Sequence, residues 1–327
     1  MTWLITGGAG YIGAHVVRET IASGRSAVVF DDLSTGLANR IPDDVPLVHA
    51  NITDSLAVLE TFEKYDITGV LHLAARKQVG ESVAKPIYYW EENVVGFFNV
   101  LTAMQKHGVK NLVFSSSAAV YGQPDNGVDT LITEDAPCLP INPYGATKLA
   151  GESLSEALSE SDGFKVAALR YFNVAGAGDA TLGDPFALNL IPIIFQALTS
   201  GEQPQVFGTD YPTPDGTCIR DYIHVQDLAQ AHIAAMNLVE SSQATFIPIN
   251  IGTGSGASVL EVFKKVREVT GLEVDPVLTA RRPGDPAALV ADTNFAKSVL
   301  NWSSQKSLHD MVSSAWEAWQ ARNTIGP

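Results

Sequence analysis

The sequence predicts an α/β fold, a doubly wound parallel sheet with a smaller C-terminal α/β lobe. Three observations carry that reading. Short, wholly apolar runs alternate with longer stretches of helical period; a glycine cluster follows the first of these runs; and the alternation breaks after Tyr171. Strands that are apolar on both faces belong to a parallel sheet covered by helices on each side.

In order, residues 3–6 read as a strand and 11–22 as a helix, 27–30 as a second strand, 47–50 as a third with a helix at 55–64, and 69–73 as a fourth. A long helical stretch over 88–107 follows, then a strand at 111–114, a helix at 143–159 and a strand at 165–169. Residues 173–217 are rich in Gly, Pro and Asp with one helical stretch near 190–198, which marks an excursion from the sheet. Residues 220–240 resume strand then helix, and helical patterns at 259–270 and 308–321 complete the tail. The expected division is a first domain of 1–172, to which 223–250 returns, and a second lobe of 173–222 and 251–327.

Composition narrows the function. With 46% hydrophobic and 17% charged residues over 327 positions, the chain can bury a sizeable core. A formal net charge of −15 repels polyanions, so neither nucleic acid nor an anionic membrane surface is an expected partner, and an anionic ligand must meet local cations. The two cysteines, Cys138 and Cys218, form neither a metal-ligand cluster nor a disulfide framework; no metal is expected, and a reducing compartment is. No apolar run approaches the roughly 18 residues of a membrane span, and the chain opens directly on a strand, so it reads as cytoplasmic.

Gly7, Gly10 and Gly13 follow the first strand and open a helix, and Gly8, Gly10 and Gly13 also satisfy G-x-G-x-x-G. Such a turn brings helix N-terminal N–H groups against a pyrophosphate, the device of Rossmann-type folds. The second strand ends in Asp31-Asp32, where a carboxylate can accept hydrogen bonds from adenosine ribose hydroxyls. The residues that follow, Leu33, Ser34 and Thr35, include no Arg or Lys for a 2′-phosphate, which favours NAD over NADP. Leu73, Ala74 and Ala75 end the fourth strand with small residues over which a flat cofactor can lie, and Asn93 falls inside a helical pattern.

Ser115, Ser116 and Ser117 follow the fifth strand. Asn142 and Pro143 then cap and open a helix that carries Tyr144 and Lys148, four residues apart on one face. A free phenol titrates near ~10 and is a poor base at neutral pH, whereas a neighbouring ammonium and a bound nicotinamide cation favour the phenolate. Tyr144 is the expected base for a substrate hydroxyl, Ser117 shares that hydrogen bond, and Lys148 assists and holds the nicotinamide ribose.

With these pieces assembled, the chain resembles the extended short-chain dehydrogenases/reductases, and within them the UDP-glucose 4-epimerases, nearly from end to end. The resemblance lies in TGGAGYIG, HLAARKQVGES, FSSSAAVYG, NPYGATK, LRYFNVAGA, VFGTDYPTPDGTCIRDYIHVQDLA and RRPGD. It implies tightly held NAD and reversible 4-epimerisation of UDP-glucose and UDP-galactose through a 4-keto intermediate. The first domain becomes the NAD-binding domain and the second lobe the nucleotide-sugar-binding lobe. For the cofactor it implies Gly7, Gly10, Tyr11, Ile12, Gly13, Asp31, Asp32, Asn51, Ile52, Leu73, Ala74, Ala75, Lys77, Asn93, Ser115, Tyr144, Lys148 and Tyr171. For the sugar nucleotide it implies Ser117 and Tyr144, Asn173, Asn189 and Leu190 at the hexose and diphosphate, Phe207 at the uracil, Arg220 and Arg282 at the phosphates, Tyr222, and Asp285 at the uridine ribose. It further implies a homodimer through the helices at 88–107 and 143–159.

Two positions depart from the family pattern. Asn51-Ile52 stands where Asp-Ile is common near the adenine, and the Asn51 amide oxygen can accept from an adenine amino group. Leu289, four residues beyond Asp285, occupies a gate position and is intermediate between the aromatics that exclude N-acetylated sugars and the small residues that admit them. The alternative chemistry on this scaffold is nucleotide-sugar 4,6-dehydration or decarboxylation. Dehydration needs an acid and a base after the serine strand, where this chain has Ala118-Ala119. A non-catalytic dinucleotide sensor is a further alternative, but one that need not keep Tyr144, Lys148 and the phosphate arginines together.

Overall fold

The apolar runs become strands because alternate residues find a separate core on each face of one sheet. The computed structural model describes residues 1–124, 127, 130–241, 243, 245–273, 275–282 and 285–325. Its first half comprises β1 (Thr2–Thr6), α1 (Tyr11–Ala22), β2 (Ser26–Asp31), β3 (Leu47–His49), α2 (Ser55–Lys64), β4 (Ile67–His72), α3 (Val79–Ala84), α4 (Pro86–Trp90), α5 (Gly96–Lys106), β5 (Asn111–Ser115), α6 (Pro143–Asp162) and β6 (Lys165–Tyr171). The second half comprises β7 (Asn173–Ala175), α7 (Leu190–Ser200), β8 (Gln205–Phe207), β9 (Ile219–His224), α8 (Val225–Ser241), β10 (Thr245–Ile251), β11 (Gly256–Ser258), α9 (Val259–Thr270), β12 (Val277–Thr279), β13 (Ala288–Leu289), α10 (Asn294–Leu300) and α11 (Leu308–Ile325).

Seven strands form one sheet in the order β10-β6-β5-β4-β1-β2-β3, all parallel. Leu4, Val28, Phe30 and Val70 face α2 and α5, meeting Phe62, Phe97, Leu101 and Met104. Their neighbours Trp3, Ile5, Val29 and Leu71 face α1 and α8, meeting Val16, Val17, Leu228 and Met236. Each large apolar side chain fully buried in this way contributes about 1.5–3 kcal/mol. The strand order reverses between β1 and β4, and the crevice outside the carboxyl ends of strands at such a point is where open α/β sheets take ligands.

After Tyr171 the chain leaves this sheet. β7 pairs with β9, which pairs with β11 and β13, while β8 pairs with β12. A third core joins α7, α9 and α11 through Ile194, Phe195, Val262, Phe263, Met311 and Val312. Helix α8 packs on the main sheet and β10 joins its edge. The buried Asp221 of β9 accepts the backbone N–H groups of Thr253, Gly254 and Ala291 at 2.8, 3.0 and 3.2 Å, so one carboxylate ties β9 to the segments after β10 and β13.

The stretch expected as one helix over 88–107 is α4 and α5 joined by a π-helical turn, Glu91–Val95. Single π turns recur at functional sites because they displace side chains from the regular helix face. Here the turn carries Glu92 to the rim of the main cleft and Asn93 inward.

Candidate active site

At the reversal point the carboxyl ends of β1, β2 and β4 enclose a cleft of about 360 Å³. Its floor is the glycine turn. Gly7 has φ +73°, a region that L side chains rarely adopt, and a Cβ there would lie 2.7 Å from the Ala74 nitrogen. A Cβ on Gly13 would lie 2.1 Å from the Gly7 carbonyl oxygen. Gly10 is the N-cap of α1 and supplies no side chain, so the N-terminal N–H groups of the helix stay open to an anion. Asp31 braces the turn by accepting from Ala9 N and Leu33 N, both at 2.9 Å. Burial pushes its carboxyl up against these two hydrogen bonds.

Asp32 sits in a denser network than the sequence suggests. It accepts from Ser34 N at 3.0 Å, from Asn51 Nδ2 at 3.1 Å and from Arg76 Nη2 at 3.0 Å. Burial alone would raise it, yet the Ser34 hydrogen bonds and the Arg76 charge hold it below the usual carboxylate range. Arg76 also donates through Nε to Glu92 at 2.9 Å and through Nη1 to Ser34 Oγ at 2.7 Å. No cation follows Asp32 in sequence, but the segment after β4 brings Arg76 to it across the reversal point.

The cleft also collects Tyr11, Ile12, Ile52, Leu73, Ala74, Ala75, Lys77, Tyr144, Lys148 and Tyr171. Three cofactor expectations change. Asn51 lines the cleft, but its Oδ1 already accepts from Thr53 N and Oγ1, both at 2.8 Å, so the amide oxygen is engaged in a turn instead of facing an adenine. Asn93 is buried outside the cleft lining. Its Oδ1 accepts from Arg76 N at 2.7 Å and its Nδ2 donates to Arg76 O and Thr147 Oγ1 at 3.0 Å, which makes it a brace for Arg76. Ser115 is likewise buried behind the wall, and its carbonyl accepts from Lys148 Nζ at 2.7 Å.

Helix α6 starts as the sequence predicts: Asn142 Oδ1 accepts from Gly145 N at 2.9 Å, and Pro143 takes the first turn. Tyr144 and Lys148 both face the cleft, 9% and 4% exposed. Burial raises Tyr144 above its ordinary value, opposed by the Ser117 hydroxyl bonded to it. Burial also pushes Lys148 down to about 7, opposed by Glu152 one turn on. Glu152 is itself held by Ser116 and by three hydrogen bonds from Arg170, the closest at 2.6 Å.

The sugar-nucleotide candidates divide into two groups. Asn173, Asn189, Leu190 and Tyr222 border a second cavity of about 480 Å³ beside the first, and Asn189 Nδ2 donates to Asp184 at 2.7 Å. Phe207, Arg220, Arg282 and Asp285 border neither cavity and form a cluster of their own. The Arg282 guanidinium lies 3.7 Å from the Phe207 ring centroid, and Arg220 pairs with Asp285 at 3.2 Å. Ser117 lies outside both cavity linings and caps the short helix Ala118–Tyr121 through Ala119 N at 3.2 Å. Leu289, in β13, packs on the cluster formed by Ala118, Tyr121 and Phe172. Among the described residues no group of His, Cys, Asp or Glu is arranged to hold a metal.

Residues 3–252 match the NAD dependent epimerase/dehydratase family. The UDP-glucose 4-epimerase of Corynebacterium glutamicum is 42% identical over 319 residues, covering 97% of this chain and 95% of that protein. That of Bacillus subtilis is 44% identical, covering 100% and 98%. The crystal structure of UDP-glucose-4-epimerase from Stenotrophomonas maltophila with bound NAD and formylated UDP-arabinopyranose aligns with a TM-score of 0.94 at 38% identity, covering 100% of each chain. The enzyme from Bifidobacterium longum in complex with NAD+ and UDP aligns at 0.90 and 36%, covering 99% of each. With the glycine turn and the Tyr144–Lys148 face in one cleft and likeness to UDP-glucose 4-epimerases along its whole length, the chain belongs to the NAD dependent epimerase/dehydratase family.

Proposed function

We propose that the chain interconverts UDP-glucose and UDP-galactose by reversible epimerisation at the fourth carbon of the hexose, through a 4-keto intermediate and with NAD held tightly throughout. The observation that carries this reading is the placing of Tyr144 and Lys148 on the wall of the cleft whose floor is the glycine turn. NAD fits that floor: β-carbons at Gly7 and Gly13 would fill the cradle, and the open N-terminus of α1 points at it. When bound, NAD supplies the acceptor and later the donor of the hydride.

The chain's own residues do the rest. Gly7, Gly10, Tyr11, Ile12 and Gly13 take the pyrophosphate; Asp31, Asp32 and Ile52 the adenosine; Leu73, Ala74, Ala75, Lys77 and Tyr171 the length of the cofactor. Tyr144, hydrogen-bonded to Ser117, receives the proton of the 4-hydroxyl and returns it after the ketone has turned over. Lys148, anchored on the Ser115 carbonyl and held near neutrality, relays that proton and holds the nicotinamide ribose. Arg220 and Arg282 hold the diphosphate through charge-assisted hydrogen bonds, Phe207 stacks the uracil, Asp285 takes a ribose hydroxyl, and Asn173, Asn189, Leu190 and Tyr222 border the hexose. Ala118 and Ala119 offer no carboxylate beside Ser117, which favours epimerisation over 4,6-dehydration.

Residues 1–172 with 223–250 serve as the NAD-binding domain, and 173–222 with 251–327 as the nucleotide-sugar-binding lobe. A homodimer through α4, α5 and α6 is supported by Ile87, Trp90, Val95 and Phe98, large apolar side chains left 82, 43, 50 and 55% exposed. Free Cys138 and Cys218 suit the cytoplasm, and no described helix is long and apolar enough to cross a membrane. The test is conversion of UDP-galactose by purified protein with no dinucleotide added. Product formation is expected, and its absence from protein that carries NAD would count against epimerisation.

A further inference from the structure

Three residues of α6 latch onto three consecutive residues at the end of β5. Tyr144, Lys148 and Glu152 stand four apart, so they share one face of the helix. Tyr144 is hydrogen-bonded to the Ser117 hydroxyl, Lys148 Nζ donates to the Ser115 carbonyl at 2.7 Å, and Glu152 Oε1 accepts from Ser116 Oγ. The helix lies close enough for this because it carries glycine at both ends of the triplet. A β-carbon on Gly145 would lie 2.5 Å from the Ala119 carbonyl oxygen, and one on Gly151 would lie 2.5 Å from Phe114 Cζ. Two of the three contacts hold residues of the reaction proposed above; the third, from Glu152, has no part in it so far.

Glu152 is buried and anchored from its far side as well. Arg170, in β6, donates Nε and Nη2 to its two oxygens at 2.9 and 2.6 Å. Through Nη1 the same guanidinium reaches the Tyr121 hydroxyl at 3.0 Å and the Glu134 carbonyl at 3.1 Å, and Tyr121 in turn donates to Asn250 Oδ1 at 2.7 Å. The carboxylate is therefore fixed against Ser116. Stability does not account for such a network, because a buried ion pair is often no more stabilising than well-packed apolar residues of the same volume. Its place is the informative feature: one turn beyond Lys148, bonded to the residue that lies between the anchor of Lys148 and the partner of Tyr144.

The groups around Lys148 give Glu152 a second role. Beside the ammonium stand Tyr144 on its own helix, the Phe114 ring at 5.2 Å and the Ser115 carbonyl on β5, His72 at the end of β4, and Tyr171 at the end of β6. Burial and Lys148 itself push His72 well below its ordinary value, which leaves it neutral, and burial raises Tyr171. Glu152 is the one carboxylate among the described residues whose charge opposes loss of the Lys148 proton. We propose that Glu152 is a positioning residue of the reaction: through Ser116 it aligns Ser115 and Ser117 for Lys148 and Tyr144, and it is the counter-charge of Lys148, with Arg170 holding it in place. This role rests on the epimerase reading of Tyr144 and Lys148 given above.

The test is steady-state turnover of UDP-galactose by the purified full chain, across the pH range in which the parent stays folded. Ser116→Ala removes the hydroxyl and leaves the Glu152–Arg170 pair intact. Its kcat is expected to fall about tenfold or more, while KM and the NAD released on denaturation stay within about twofold of the parent. A merely structural role would lower NAD content and activity together. Glu152→Gln keeps an acceptor for Ser116 and removes the charge. The alkaline limb of its kcat profile, where Lys148 loses its proton, is expected to move toward lower pH by about one unit or more. Ser116→Ala, which keeps the charge, is expected to leave that limb in place. Parental kcat in Ser116→Ala, or a parental pH profile in folded Glu152→Gln, would each overturn the proposal; Ser116→Ala decides it if Glu152→Gln does not fold. Unaltered variants beside an active parent overturn this inference alone, whereas an inactive parent overturns the epimerase reading along with it.

Discussion

Arg76 Nη2 donates to Asp32 Oδ2 at 3.0 Å across the point where the strand order of the main sheet reverses. Its Nε reaches Glu92 on the π turn, so one guanidinium is shared by two carboxylates at the adenosine end of the cleft. Any 2′-phosphate would meet those acids first.

Cofactor choice follows from this arrangement. The double variant Asp32→Asn/Glu92→Gln frees Arg76 and Ser34 to take a 2′-phosphate, and its preference for NADP over NAD should rise about tenfold or more relative to the parent. Chromatography of the dinucleotide released after exchange against equal NAD and NADP checks it. An unchanged ratio in a folded variant would show that Arg76 plays no part in selection.

Gly13→Ala should empty the cleft. The added methyl would stand 2.1 Å from the Gly7 carbonyl oxygen, a contact that backbone cannot relieve without reshaping the turn. Dinucleotide recovered from the purified variant should fall about tenfold or more, read from the chromatogram of the denatured protein. Parental content would contradict the tight turn.

The buried pair of Arg170 and Glu152 behind Lys148 predicts a stability effect. Arg170→Met leaves a carboxylate buried without its cation, and such breakage typically destabilises by about 3–5 kcal/mol. Urea denaturation should show an unfolding free energy lower by that amount. A loss below about 1 kcal/mol would mean that the surroundings accommodate the lone acid.

His15 gives the pH dependence. Its Nδ1 lies 2.9 Å from the Tyr11 carbonyl, and Gly178 N donates to its Nε2 at 2.8 Å, which fixes a neutral tautomer. Burial pushes it from 6.5 down to about 4. Between those values the unfolded chain binds the extra proton, so stability from this group is present above pH 6.5 and is lost as pH falls toward 4, by roughly 3 kcal/mol in all. His15→Gln should flatten the fall in thermal midpoint over that interval. Parallel profiles for variant and parent would remove His15 as the cause.

What the sequence made legible was local. Gly7, Gly10 and Gly13 sit at a spacing that only a tight strand-to-helix turn uses, and Tyr144 with Lys148 at four residues apart must share a helix face. What it concealed depends on convergence in space. Arg76 reads as a lysine's neighbour until β4 and β2 are seen to flank β1, and Asn93 reads as a cofactor contact until its amide closes on the Arg76 backbone. Burial also explains the raised Tyr144: spacing reports that a lysine is near, but not how far both groups are from water.

The central claim is that the Tyr144 phenol moves the proton of the 4-hydroxyl in a cleft that holds NAD. Tyr144→Phe removes only that oxygen, so turnover of UDP-galactose should fall by about 10²- to 10⁴-fold while NAD released from the denatured variant matches the parent. Turnover within about tenfold of the parent, with NAD retained, would contradict it.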